Sequence, residues 1–180
     1  MKKIALIILG LWGLLHADTP TKMIHLYQEG AFLEACTMGM RHFKELESNE
    51  AYLSLYAFSC LKADQIDQLN TPILLLNQST EARTNASYFS MLVLQKKLLM
   101  QALYDNYSLK SLKLPTSSHL LSKIFTLYSK DPQSQNSIKE YSDPSNPRTT
   151  YKLYTTQSNG RKTVAIDEYY DKILSVHHVY

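Results

Sequence analysis

The two cysteines of the chain, Cys36 and Cys60, constrain its fold more than any other residues. They lie in a stretch, residues 24–69, whose apolar spacing predicts two helical hairpins that share a helix. Because each helix of an antiparallel pair rises about 1.5 Å per residue, two residues equally far from the turn lie level with each other. The polar residues 45–50 form the predicted turn, and Ser48 is midway between the cysteines. The cysteines are therefore expected to lie level with each other across the hairpin, which is necessary but not sufficient for a disulfide.

The N-terminal segment has the features of a secretory signal peptide. Lys2 and Lys3 form a basic start, residues 4–15 are apolar, and Ala17 is a small residue suited to cleavage. The apolar run is shorter than the roughly 20 residues that span a bilayer, which favours a signal peptide over a retained anchor. We predict that residues 1–17 are a signal peptide and that the protein is periplasmic or secreted, with no transmembrane span after cleavage near Ala17.

Export affects the interpretation of both the charge and the cysteines. Loss of Lys2 and Lys3 lowers the formal net charge from +3 to +1, which leaves no basic cluster for nucleic-acid binding. Two cysteines in an oxidising compartment pair more often than they stay free, so we predict a disulfide between Cys36 and Cys60. It would contribute about 3 kcal/mol in the chain-entropy model. Two buried thiols are the alternative, and the absence of a C-x-x-C spacing argues against a redox-active pair.

Residues 27–35 resemble the turn between the two helices of a tetratricopeptide or Sel1-like repeat. The glycine, the aromatic residue and the small residue of that turn are Gly30, Phe32 and Ala35. In the following helix Tyr52 and Leu55 fit the family pattern, whereas Tyr56 stands where the family has a small glycine. The resemblance extends over residues 19–78 and implies helical hairpins that serve as a scaffold for other proteins. An irregular α-helical bundle is the alternative.

The rest of the chain predicts a change from helices to strands. Apolar spacing predicts an α-helical domain over residues 18–132, and the Ser, Asn, Gln and Pro of residues 133–148 predict a polar linker or loop. Residues 149–180 alternate with a period of two around a hairpin signal at residues 158–160, which predicts a three-stranded antiparallel β-meander. The expected buried residues of this sheet are Val164, Ile166, Ile173 and Val179. The predicted fold class is mostly α, with helical hairpins followed by a small C-terminal β-meander.

No motif in the sequence identifies a reaction. The histidine pair His177-His178 is the strongest metal candidate, but adjacent residues of a strand point to opposite faces and cannot readily share one ion. The glutamates near the predicted turn, Glu45, Glu47 and Glu50, are expected to be solvated. Motifs for phosphate loops, zinc proteases, serine hydrolases and haem attachment are absent from the sequence. We therefore predict a protein that is not an enzyme and has no cofactor and no metal site.

Tyrosine is unusually abundant, with 13 in the chain. Aromatic side chains with a polar tip are favoured at interfaces, so Tyr27, Tyr52, Tyr56 and Tyr88 are the candidate interaction surface, although their helical spacing also suits half-buried core residues. The predicted function is an exported scaffold or adaptor that binds another protein of the cell envelope, through its helices or through the edge of its sheet. The alternatives are a small-ligand or cell-wall binding protein and an exported hydrolase resembling the Sel1 family. The sequence does not indicate the oligomeric state.

Overall fold

The computed structural model describes residues 18–133 and 137–180. The predicted signal peptide, residues 1–17, lies outside the described residues. Within them the chain forms seven α-helices, one 3-10 helix and four strands. The helices are α1 (Thr19–Gln28), α2 (Phe32–Arg41), α3 (Phe43–Leu46), α4 (Glu50–Lys62), the 3-10 helix (Ile66–Leu69), α5 (Asn70–Leu75), α6 (Thr80–Asp105) and α7 (Leu120–Lys130). The strands are β1 (Lys139–Asp143), β2 (Asn146–Ser158), β3 (Arg161–Tyr170) and β4 (Ile173–Val179).

Helix α1 begins at a side-chain cap. Asp18 accepts a hydrogen bond from the backbone N–H of Thr21 at 3.1 Å, and Pro20 lies in the first turn, where its missing N–H removes no helical bond. The turn into α2 contains Gly30 in the left-handed region, with φ +77°, a conformation that glycine adopts without steric cost. Cleavage of the chain after residue 17 would leave this capping residue in place.

The α2–α4 hairpin carries the disulfide that the sequence predicts. Cys36 and Cys60 are bonded, their Cα atoms are 4.7 Å apart, and both residues are buried. Gly39 of α2 lies directly over the ring of Tyr56 in α4, at a distance that leaves no room for a Cβ atom. This close approach brings the two helices together at the level of the cross-link.

Helix α6 is the long central helix. It follows the cap residue Ser79, whose hydroxyl accepts from the backbone N–H of Ala82. The carboxylate of Glu50, at the start of α4, accepts from three consecutive backbone N–H groups, those of residues 77–79, at 2.6–3.0 Å. Along its length α6 contacts α4, α5, the 3-10 helix and α7 as well as strands β2 and β3. It therefore belongs to both the helical core and the layer that supports the sheet.

The sheet has four antiparallel strands in the order β1-β2-β3-β4, one more than the sequence predicts. The additional strand, β1, lies in the segment interpreted as a polar linker, and it pairs with β2 from Lys139 opposite Leu153 to Ser142 opposite Thr150. Its buried positions are Lys139, Tyr141 and Asp143, so an alternating apolar pattern is missing. Polar contacts with other elements stabilise this strand, and a local apolar pattern cannot reveal them.

The turn between β2 and β3 agrees with the hairpin prediction. Asn159 and Gly160 have φ values of 49° and 74°, as a two-residue type I′ turn requires. Val164 and Ile166 are fully buried, as predicted, whereas the prediction for Ile173 is wrong, since 72% of this residue is exposed. Ile173 begins β4, and the first half of that strand is exposed on both faces.

Two groups of polar contacts link the sheet to the helices. The hydroxyl of Tyr104 in α6 lies 2.8 Å and 3.0 Å from the carbonyl oxygens of Thr156 and Thr163 on neighbouring strands. Lys123 of α7 and the hydroxyl of Tyr151 in β2 both donate hydrogen bonds to Oδ2 of Asp143 in β1. Together these hydrogen bonds lower the pKa of the Asp143 carboxyl to about 2.

Candidate functional site

The four tyrosines of the predicted interaction surface take different positions. Tyr56 is buried in the helical core beneath Gly39, and Tyr52 is half-buried against the same core. Tyr27 and Tyr88 are also half-buried, but both line a cavity between the helices and the end of the sheet. This cavity, of about 500 Å³, is called the aromatic cavity below.

The walls of the aromatic cavity come from elements that are far apart in the sequence. Its aromatic side is formed by Tyr27 of α1, Phe58 of α4 and Tyr88 of α6. The ring of Phe58 lies 6.4 Å from that of Tyr88 and 4.8 Å from that of the buried Phe89, so this wall continues into the core. Leu61 and Leu120 complete the apolar lining. An apolar lining of this kind with a few polar groups is typical of small-molecule sites.

The polar end of the cavity begins at Asp64, just after α4. The backbone N–H groups of Asp64 and Gln65 donate to the carbonyls of Leu61 and Cys60, the pattern of a Schellman motif. In that motif the residue at the position of Asp64 has a left-handed backbone, here with φ +59°, and glycine is the usual choice. An aspartate tolerates the conformation less well than glycine, and here it places a carboxylate at the cavity.

Asp64 makes a hydrogen bond with His178 of the edge strand β4. His178 Nδ1 lies 2.7 Å from Asp64 Oδ2, and the carboxylate raises the pKa of His178 above its ordinary value. The imidazole ring also stacks on the ring of Tyr180, with a centroid distance of 5.9 Å and an angle of 4° between the planes. The contact therefore fixes the end of β4 against the end of α4.

A second histidine of the cavity is the cap of α7. His119 Nδ1 accepts a hydrogen bond from the backbone N–H of Leu121 at 3.2 Å, which requires the tautomer with its proton on Nε2. Burial, with smaller contributions from the positive charges of His178 and Lys62, lowers the pKa of His119 to about 4, although the carboxylate of Asp64 acts in the opposite direction. His119 is therefore a neutral N–H donor at neutral pH.

Tyr180 lies between the two histidines. Its ring centroid is 6.5 Å from that of His119, and the residue is 4% exposed. Its hydroxyl has no hydrogen bond of normal geometry with any atom in the described part of the chain. Burial, together with the nearby carboxylate of Asp64, raises the pKa of Tyr180, so the hydroxyl keeps its proton. The hydroxyl is therefore buried near a carboxylate without a well-formed hydrogen bond, an arrangement that costs stability.

The free edge of β4 is the second surface of interest. Ile173, Leu174 and Val176 are 72%, 52% and 43% exposed, and the strand contains no Pro, Lys or acidic residue. Tyr180 exchanges both backbone hydrogen bonds with Val164 of β3. Because hydrogen-bonded and non-bonded pairs alternate in an antiparallel ladder, the backbone N–H and C=O of His177 point away from β3.

The opposite edge of the sheet is protected. The backbone N–H and C=O of Glu140 in β1 are both hydrogen-bonded by the side-chain amide of Gln133, at 3.0 Å and 2.6 Å. The strand is short and carries charged residues, and a Glu140–Lys152 ion pair of 3.2 Å lies beside this edge. Charges and side-chain cover are common protections against strand addition. Within residues 18–133 and 137–180, no comparable cover lies on the outer side of β4, although a bulge interrupts its pairing with β3 next to Tyr169.

A further apolar groove lies on α1 and α2. It has a volume of about 540 Å³ and is lined mainly by Leu26, Leu33 and Met38, with Arg41 at its border. It shares no lining residue with the aromatic cavity.

No group of three or more His, Cys, Asp or Glu side chains in residues 18–133 and 137–180 is placed to hold a metal ion. In that same part of the chain, no helix is both long enough and apolar enough to cross a membrane.

No family model matches the chain, and neither the curated proteins nor the solved structures include a significant match to it. The resemblance to tetratricopeptide and Sel1-like repeats therefore stays a prediction.

Sequence patterns could not predict that the polar residues of the cavity lie close together. Asp64 and His178 are 114 positions apart, and His119 belongs to a third element. One local signal did exist, because Asp64 occupies a helix-end turn in which the repeat-like pattern would have a glycine.

Proposed function

We propose that the protein is an exported adaptor that binds an extended segment of another cell-envelope protein as a fifth strand beside β4. The observation that carries the proposal is the contrast between the two sheet edges, since β1 is covered and charged while β4 is open and apolar. Strand addition supplies main-chain hydrogen bonds, and apolar residues beside the edge give specificity. No catalytic reaction is part of the proposal.

The partner segment is expected to be extended, low in charge and apolar on both faces. Successive side chains of a strand point to opposite faces, so residues two apart normally share a face. The bulge at Ser175 adds one residue to β4, and Leu174 and Val176 therefore lie on opposite faces. The outward N–H and C=O of His177 are the central hydrogen-bonding groups for such a segment. The disulfide and the cap at Asp18 fit a chain that folds after export and cleavage.

A proline substitution tests the strand addition directly. His177→Pro removes an outward N–H but no bond of the β3–β4 ladder, and proline is tolerated where the N–H of an edge strand faces solvent. His177→Ala is the matched control, since it removes the contact between the imidazole and Asp167 while keeping the backbone N–H. A photo-crosslinking residue at Leu174 would report the partner in cells, and the same residue at Glu140 of β1 would report background.

We expect the residue at position 174 to give one discrete crosslinked product with a different protein. This product should persist in His177→Ala and be lost in His177→Pro, and circular dichroism should show that both variants are folded. The product should map to an extended apolar segment of the partner. Equal products from positions 174 and 140, persistence in His177→Pro, or a product of two copies of this chain would contradict the proposal. N-terminal sequencing of the exported protein should begin at Asp18, and a retained Met1 would contradict export by signal cleavage.

A further inference from the structure

We propose that the aromatic cavity is a binding site for a small carboxylate with a planar, apolar body. This site is separate from the edge of β4 that carries the proposed adaptor function, although both involve the end of the sheet. The inference rests on the walls of the cavity, on the hydrogen-bonding character of its polar end and on a buried hydroxyl that makes no hydrogen bond of normal geometry.

The walls determine the body of the ligand. Tyr27, Phe58 and Tyr88 present aromatic rings to a volume of about 500 Å³, and Leu61 and Leu120 add aliphatic surface. A cavity of this size holds a small molecule rather than a macromolecular segment. Aromatic rings make favourable offset and edge-to-face contacts with other flat or aromatic groups. A planar, apolar body therefore fits these walls better than a polar body.

The polar end of the cavity has more donors than acceptors. His119 offers the N–H at Nε2, and Tyr180 offers a buried hydroxyl that lies near the carboxylate of Asp64 without a hydrogen bond of normal geometry to it. Lys62 is an exposed residue of the lining. Asp64 is the acidic residue of the lining, and one of its oxygens is already engaged by His178. A group that only accepts hydrogen bonds would complete this end of the cavity.

The positive charge of Lys62 favours an anion over a neutral acceptor at this end of the cavity. Asp64 is negative and pairs with His178, and Asp167 and Glu168 of β3 are further carboxylates near that histidine. His119 is a neutral member of the group. A carboxylate would accept hydrogen bonds from Lys62 and from the N–H of His119, whereas an ammonium group has no lone pair with which to accept from either donor.

Three probes with one body and different head groups test the inference. They are 3-phenylpropionate, 3-phenylpropionamide and 3-phenylpropylamine, titrated into the disulfide-bonded protein by calorimetry and by NMR of the histidine ring protons. We expect saturable 1:1 binding of the carboxylate, with affinity at least about fivefold higher than that of the amide. The amine should bind most weakly. The ring protons of His119 and His178 should shift with the same binding constant.

Variants locate the site. Lys62→Gln should weaken the carboxylate about threefold to fivefold and leave the amide unchanged. His119→Asn keeps an oxygen to cap α7 but removes the Nε2 donor, and should weaken the carboxylate about tenfold. Lys97→Gln, at an exposed position of α6 outside the cavity, is the matched control and should change neither probe.

The outcomes separate clearly. The lysine variants are surface changes that leave the fold intact, so their result decides the matter even if His119→Asn is unstable. Equal binding of carboxylate and amide, preference for the amine, equal effects of the two lysine variants, or no saturable binding at millimolar concentration would overturn the inference. None of these results would bear on strand addition at β4, which His177→Pro tests independently.

Discussion

Protonation of His119 should destabilise the fold by about 3 kcal/mol when the pH falls from neutral to about 4. Burial lowers the pKa of His119 in the folded protein to about 4, from an ordinary value of 6.5. The unfolded chain therefore binds this proton more tightly than the folded chain, and acid shifts the equilibrium toward unfolding. Because each tenfold difference in proton affinity is worth about 1.4 kcal/mol, the two values give about 3 kcal/mol.

The geometry of the helix cap supports the same direction. Nδ1 of His119 accepts from the backbone N–H of Leu121, and a proton on Nδ1 would abolish that acceptor. It would also place a positive charge at the N-terminus of α7, where the helix dipole disfavours cations. The contribution of His119 is thus fully present above pH 6.5 and is lost as the pH falls through the folded value of about 4.

Urea unfolding at neutral pH and at about pH 4 measures the effect, and His119→Asn isolates it. Asparagine is a good cap residue and does not titrate, so the variant should retain about 3 kcal/mol more of its neutral-pH stability at about pH 4 than the wild-type protein. His25→Asn, at an exposed histidine of α1, is the control and should keep the wild-type acid dependence. If the two variants lose the same free energy of unfolding between the two pH values, the reasoning about His119 is wrong.

Three further changes test the packing, each by thermal or urea unfolding. Replacing Cys36 and Cys60 by Ala should lower the free energy of unfolding by about 3 kcal/mol, and an unchanged value would show that the cross-link adds nothing. Gly39→Ala should cost about 1–3 kcal/mol, because its Cβ would overlap the ring of Tyr56, and a neutral result would show that α2 and α4 can separate without penalty. Tyr104→Phe should cost about 1 kcal/mol, since it removes the hydroxyl between two strand carbonyls; stability equal to wild type would contradict that role.

The cross-linked hairpin could be predicted because its geometry is local and symmetric. Residues equally far from a turn lie level in an antiparallel helix pair, so numbering alone brought Cys36 opposite Cys60. Helix α6, Thr80–Asp105, was likewise predictable as a helix, because it carries an apolar stripe over many turns.

Strand β1 could not be predicted because its stability comes from other parts of the chain. Two of its inward positions are Lys139 and Asp143, and the second is held by Lys123 of α7. Its outer edge is hydrogen-bonded by Gln133. A local pattern of polar residues contains none of these distant partners, so it resembled a linker.

The aromatic cavity lay partly within reach of sequence reasoning. Tyr27 and Tyr88 were among the predicted surface residues and do line it, whereas Tyr56 belongs to the core. The histidines could not be predicted, because the contact of Asp64 with His178 depends on how the last strand docks on the end of α4, 114 positions earlier in the sequence.

Helix α6 has a consequence for how the molecule unfolds. Its 26 residues extend for about 39 Å, and it contacts α4, α5 and α7 as well as strands β2 and β3. Loss of the sheet would uncover one side of this helix, and loss of the N-terminal hairpins would uncover another. Neither half could melt without removing support from the same helix, so the hairpins and the sheet should unfold in one cooperative transition despite their different secondary structure.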